Sequence, residues 1–197
     1  MFLIRPRESA RLLAAAVVTG LAAIASAHQV VYSGAMSGPA EAPPNASPGV
    51  GIATVTVDLD LATFRIQANF SGLTGTTTAA HIHGLTAVPG AGVAGVATQT
   101  PSFTGFPLGV TSGVMDTTYD MTLASSYNAS FITANGGTVG GAFQALLTGL
   151  EQGRTYFNIH STTFPGGEIR GFLIPEPASL SLLAGIPLIM LRRNRKT

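Results

Sequence analysis

The sequence predicts a mainly β fold, an antiparallel β-sandwich or flattened barrel carrying one or two short helices. Three observations predict it: stretches of apolar and polar alternation, connections rich in Gly, Pro and Thr, and a single segment of clear helical periodicity. Residues 53–61 alternate, with Val55, Val57 and Leu59 on one side and Thr54, Thr56, Asp58 and Asp60 on the other. Residues 64–70 repeat the pattern through Phe64, Ile66, Ala68 and Phe70, and the link Ala62-Thr63 suits a hairpin. Residues 118–123 alternate through Tyr119, Met121 and Leu123. Residues 156–160 and 168–173 flank a turn containing Phe164-Pro165-Gly166-Gly167. Residues 141–152 place Ala142, Leu146 and Leu150 beside Phe143 and Leu147 at helical spacing, and Gly153 stands where a helix C-terminal glycine belongs. A second helical turn is expected around 125–134. Gly136-Gly137 and Gly140-Gly141 read as turns, because no basic residue or strand–loop–helix pattern makes them a phosphate loop. Residues 88–113 form the one long loop, a length that marks a functional or mobile element.

The chain has 197 residues, of which only 10% are charged, and no Cys. Its net charge of +1 hides a strong asymmetry. Residues 1–27 carry +2 and residues 175–197 carry +3, whereas residues 28–174 carry −4. An acidic body without a basic face excludes nucleic acid as a partner class. Without Cys, the body must fold on its core alone.

Three segments follow from this partition. Residues 1–27 read as a signal peptide: a basic start, an apolar run over 12–25, and small residues at Ala25 and Ala27 for signal peptidase. That run falls short of the ~20 residues a membrane span needs. Residues 28–174 are the β domain. Residues 175–197 comprise Pro175-Glu176-Pro177, an apolar run over 178–191, and the basic end Arg192-Arg193-Asn194-Arg195-Lys196. Apolar run followed by basic cluster is a stop-transfer order and a candidate transmembrane helix, although short and interrupted by Pro187. The tail resembles the PEP-CTERM sorting signal of Gram-negative bacteria. That resemblance implies transient inner-membrane anchoring, cleavage by an exosortase, and delivery to the cell surface or extracellular matrix, with extracellular polysaccharide as a neighbour.

Within the body, chemistry concentrates in three short segments: Ala80-His81-Ile82-His83-Gly84, Tyr156-Phe157-Asn158-Ile159-His160-Ser161, and Pro165-Gly166-Gly167-Glu168-Ile169-Arg170-Gly171. Residues i and i+2 of a strand share a face, so His81 and His83 lie side by side. If 161–167 closes a hairpin symmetrically, Asn158 opposes Arg170, Tyr156 opposes Phe172 and His160 opposes Glu168. A polar strip of His160, Asn158, Glu168 and Arg170 results, continuous with His81 and His83 if their strand is adjacent. Two His at i, i+2 and a third from another strand suit Cu or Zn. The same residues also suit a hydrogen-bonded strip that fixes strand pairing. Asp58, Asp60 and Asp116 are further donors that no spacing selects, and His28, once a new N-terminus, could chelate copper through its amine and ring. Glu41 reads as a loop residue. No catalytic residues are assigned, since no carboxylate pair or nucleophile motif is present.

These three segments, with the Glu41-Ala42-Pro43-Pro44 opening, resemble the CHRD domain, and the likeness covers essentially all of 28–174. The resemblance implies a compact β-rich domain with no established enzymatic activity. The expectation is an exported, non-enzymatic surface or matrix protein with a structural or adhesive role. The alternative is a metal-binding surface protein with His81, His83 and His160 on Cu or Zn, open to redox activity.

Overall fold

A computed structural model describes residues 28–177. The segments expected to be signal peptide and apolar tail, residues 1–27 and 178–197, lie outside the described residues. Among the described residues no helix is long and apolar enough to cross a membrane.

Eight strands form one curled antiparallel sheet: β1 (Gln29–Ser37), β2 (Val50–Asp58), β3 (Thr63–Ser71), β4 (Thr77–His83), β5 (Gly113–Asp120), β6 (Tyr156–Ser161), β7 (Ile169–Phe172) and β8 (Ile174–Pro175). Their order is β4-β6-β7-β1-β2-β3-β5, with β8 pairing with β1 just beyond β7. The mainly β, antiparallel expectation holds. Val55 and Val57, with Phe64, Ile66 and Phe70, bury one face of the sheet, as their alternation requires.

That face is closed by two helices, α1 (Ala129–Ala134) and α2 (Val139–Glu151). Helix α2 buries Ala142, Leu146 and Leu150 at helical spacing, and Phe143 meets Phe64 with ring centroids 5.9 Å apart. It starts two residues before the expected position because Thr138 caps it, its hydroxyl accepting the Gly141 N–H at 3.1 Å. Gly140 and Gly141 therefore belong to the first turn of a helix rather than to a loop. Gly153 ends the segment at φ +62°, the left-handed conformation a C-terminal glycine supplies.

Two strand ends differ from the alternation pattern for a common reason. At the β2–β3 hairpin the strand stops at Asp58, because its carboxylate accepts the N–H groups of Asp60 (3.1 Å) and Leu61 (3.0 Å) and folds the chain into a four-residue turn. Leu59, expected on the core side, is thereby exposed. The strand expected over 118–123 runs instead over Gly113–Asp120, paired with β3 from Thr63 to Phe70. It ends where Asp120 accepts from the N–H and hydroxyl of Thr122.

The β6–β7 hairpin has the register predicted from the sequence: Tyr156 opposes Phe172 and Asn158 opposes Arg170. Strand β4 lies on the other side of β6, with His81 opposite Asn158 and His83 opposite Tyr156. The outer edge of β4 is covered by the long loop, which bonds it through Ala97 N–H to Ile82 O (2.9 Å) and Phe103 N–H to Ala80 O (3.0 Å). Next to β1 the backbones approach so closely that a Cβ at Gly171 would collide with the Ala35 carbonyl, and one at Gly34 with the Phe172 carbonyl.

Strand β8 extends the sheet to Pro175. The Glu176 N–H donates to Val31 O at 2.9 Å, and the Ser33 hydroxyl bonds the Glu176 carboxylate. The described chain thus begins and ends beside the first half of β1. The row containing His81 aligns through Asn158 and Arg170 with Ser37, at the far end of β1.

Candidate metal centre

Ala80 and Ile82 of β4 and Phe157 and Ile159 of β6 point into the core, which turns His81, His83 and His160 to the opposite face. Loops rather than helices cover that face. One ring nitrogen from each histidine lies within 4.8 Å of the others. His81 and His83 are 7% and 9% exposed, and His160 is half-buried.

Hydrogen bonds set the tautomers of two of the rings. The Nδ1 of His83 lies 2.9 Å from the Ala94 carbonyl, and the Nδ1 of His160 lies 2.9 Å from the Pro165 carbonyl. A carbonyl only accepts, so both Nδ1 atoms carry the proton and both Nε2 atoms present a lone pair. The His83 Nε2 is buried without a hydrogen-bond partner. The His160 Nε2 stands 3.0 Å from the Nε2 of His81. Because the His160 Nε2 presents a lone pair, His81 donates to it through its Nε2–H. Its own Nδ1 then lacks a hydrogen bond of ordinary geometry, although the Pro101 carbonyl lies close enough to favour a proton on that ring. A single tautomer change at His81 would turn all three Nε2 lone pairs into ligands, with no net release of a proton.

The rings are held neutral. Burial first, then the His160 and His83 rings, push His81 down to about 3. Burial pushes His83 down to about 4 against the support of Ala94, and burial lowers His160 as well. Metal binding requires neutral imidazole, so the site avoids competition with protons at neutral pH.

Behind His83 the Tyr156 ring stacks nearly parallel, 4.8 Å away at 5°, and the Arg170 guanidinium lies 4.7 Å over the other side of Tyr156. Arg170, 4% exposed, donates to the carbonyls of Ala40 (2.5 Å) and Gly92 (2.9 Å). The Tyr156 hydroxyl reaches both the N–H and the carbonyl of Ala94. Part of the long loop is therefore bound to the site rather than free of it.

Sequence reading missed one member of this region. Glu41 is buried, its Oε1 accepts from Asn158 Nδ2 at 2.7 Å, and its Oε2 lies 3.8 Å from Arg170 Nε. Gly167, at φ +136°, leaves the room: a Cβ there would stand 2.8 Å from Glu41 Oε1 and from Asn158 Nδ2. Burial pushes the Glu41 carboxyl up to about 7, and Arg170, Asn158 and the Ala42 N–H pull it back only in part. A carboxyl raised in the folded state stabilises the fold while protonated. That contribution is complete below the ordinary carboxyl range and is lost as pH rises through about 7. The stability difference between wild type and Glu41→Gln is therefore expected to move against wild type by about 1–2 kcal/mol between pH 5 and 8, after allowance for solvent screening. Urea denaturation of both proteins at the two pH values measures it, and a difference that stays flat contradicts it. Comparison with the variant also removes the histidines, which act in the opposite sense.

Glu168 stands apart from the expected strip. The β6–β7 ladder stops at the Ile159–Ile169 row, and the Glu168 N–H donates to Ile159 O at 2.7 Å. Its carboxylate accepts from Ser47 Oγ (2.6 Å), Thr74 N–H (2.5 Å) and Gly75 N–H (3.2 Å) instead of facing His160. Asn158 and Arg170 do join His160 on that face, so three of the four residues expected in the strip are there and Glu168 is not. None of the loose donors reaches it. Asp60 bonds His28 and Asp58 bonds Gln29, both at the other end of β1, while Asp116 pairs with Arg65 on the outer strands.

In this mainly β fold a curled antiparallel sheet carries three neutral imidazoles that converge on its loop-covered face, a group placed to hold a metal ion. The chain belongs to the CHRD domain family, which matches residues 32–173. A search of curated proteins and a search of solved structures return no match.

Proposed function

We propose that this CHRD-domain protein is an exported, non-enzymatic component of the cell surface or extracellular matrix that holds one copper or zinc ion on His81, His83 and His160. The convergence of the three ring nitrogens carries the metal reading. Its support lies in the second layer: His83 and His160 each donate Nδ1–H to a backbone carbonyl, the arrangement that orients metal-bound histidines.

Export rests on the sequence of the two ends, with signal peptidase and an exosortase as the processing enzymes. The fold is compatible with tethering at either end. Residues 28 and 177 leave the sheet beside the start of β1, and the Tyr32–Pro175 pair is five residues from the row of His81, roughly 16 Å of strand. A tethered domain would turn its histidine centre away from the membrane. A purely structural strip is the second reading, favoured by the 3.0 Å contact of His81 and His160 across β4 and β6.

Protein purified from cells grown with ample copper and zinc is expected to carry about one equivalent of ion per chain, given three ligands for a single site. Elemental analysis gives the number. Protein free of both metals, and unable to take up either on addition, would sink the metal reading.

A further inference from the structure

The donor set and its surroundings narrow the choice of ion. All three donors are neutral imidazoles, and among the described residues the three histidines are the one group placed to hold a metal. The second layer is neutral too. Ala94 and Pro165 offer backbone carbonyls where many zinc sites place a carboxylate. The nearest acidic groups are occupied elsewhere: Glu41 by Asn158 and Arg170, and Glu168 by Ser47, Thr74 and Gly75.

A buried positive charge stands close to the site. Arg170 lies behind His83 across the Tyr156 ring, two stacking distances away. At that separation its field reaches the ligand. Glu41 offsets that field only in part, because burial favours its neutral form.

We infer that this centre selects a monovalent ion, copper in its cuprous state, over divalent zinc. The inference rests on the three-histidine reading above. The cost of taking an ion out of water grows as the square of its charge, so a divalent ion pays about four times the penalty of a monovalent one in the same buried site. Neutral ligands return none of that through ion pairing. Repulsion adds to the difference: a unit charge about 10 Å away, at an effective dielectric near 20, weakens binding by roughly tenfold for each additional charge on the ion. Coordination number does not separate the two ions, since three imidazoles also hold zinc with a water in the fourth position.

The test uses the full chain and three probes: Cu(I) kept reduced by ascorbate under nitrogen, Cu(II), and Zn(II), each titrated in competition with a chromogenic chelator of known affinity. Cu(I) is expected to bind at least ~100-fold more tightly than Zn(II). Zn(II) binding as tightly as Cu(I) overturns the cuprous assignment and leaves the three-histidine site standing. Failure of all three ions to bind overturns both. In Arg170→Gln the ratio of Cu(I) to Zn(II) affinity is expected to narrow by roughly tenfold. An unchanged ratio in a folded variant removes Arg170 from the account. The wild-type ratio needs no variant and decides the assignment if Arg170→Gln does not fold.

Discussion

Replacing Glu168 with alanine is expected to lower folding stability by about 3–5 kcal/mol, a large share of the 5–15 kcal/mol typical of a domain. The Glu168 carboxylate is fully buried and gathers chain segments distant in sequence. Ser47 comes from the β1–β2 connection, and Thr74 and Gly75 come from the β3–β4 connection. Burial alone would raise its pKa, but hydrogen bonds from Ser161, Ser47 and the N–H groups of Thr74 and Gly75 outweigh burial and hold it below the usual carboxylate value. The group is therefore an anion in the fold. Its stabilisation is present above the ordinary carboxyl range and is lost as pH falls below it, opposite in sense to Glu41. Alanine leaves two hydroxyls and two N–H groups without their acceptor, and each buried orphan costs about 1–3 kcal/mol. Part of this is recovered because the desolvated charge itself is gone. Glu168→Gln keeps the shape but presents an NH2 where an acceptor is needed, so an intermediate loss is expected. Chemical denaturation of the three proteins gives the order. A loss under about 1 kcal/mol for alanine would show that the carboxylate does not hold these loops.

How much of this could be read from the sequence depended on whether a residue's partners were near it in the chain. Alternation in residues 53–61 and 64–70 located β2 and β3, because strand periodicity is local and both strands present one buried face. The turn 161–167 gave the β6–β7 register, and with it the company of Asn158 and Arg170. The three histidines were legible as a group because i, i+2 spacing on one strand needed only one adjacent strand to complete it. Strand β1 was not singled out. Its signal, Val30, Tyr32 and Met36 facing inward, is interrupted by Gly34, a residue that packing against the β7 backbone demands. Glu41 gave no local sign of its role: it sits among Ala and Pro, and its partners Asn158 and Arg170 lie more than a hundred residues away. Symmetric closure of the hairpin placed Glu168 opposite His160. It could not foresee that three amide and hydroxyl donors from other loops would claim the carboxylate first.

Substitution of His81 by leucine is expected to separate the two readings of the histidine cluster, because they predict opposite signs in the metal-free protein. A structural strip earns stability from its hydrogen bonds, so removing His81 should cost about 1 kcal/mol or more for the lost contact with His160. A metal centre is poorly satisfied without its ion. His81 Nδ1 and His83 Nε2 are buried without hydrogen-bond partners, and the rings crowd to centroid distances of 4.9 Å and 4.7 Å around His81. Leucine fills much of the same volume, relieves the crowding and removes the orphaned His81 Nδ1, against the loss of the donor to His160 Nε2. Metal-free His81→Leu is therefore expected to be as stable as wild type or more stable, by up to about 2 kcal/mol. Added copper should then invert the order. An ion that binds only the native state stabilises it by about 2.7 kcal/mol at a hundred times its dissociation constant, and by about 4.1 kcal/mol at a thousand times. Wild type should gain this increment and His81→Leu should not. His160→Leu provides a second variant in which the increment is also lost. Thermal denaturation with a chelator and with excess copper gives all the required midpoints. A destabilised apo variant together with a wild type indifferent to copper would establish the structural strip in place of the metal centre. The inverted order would mean that these histidines are kept at a cost to the empty fold, which is the mark of residues retained for binding rather than for packing.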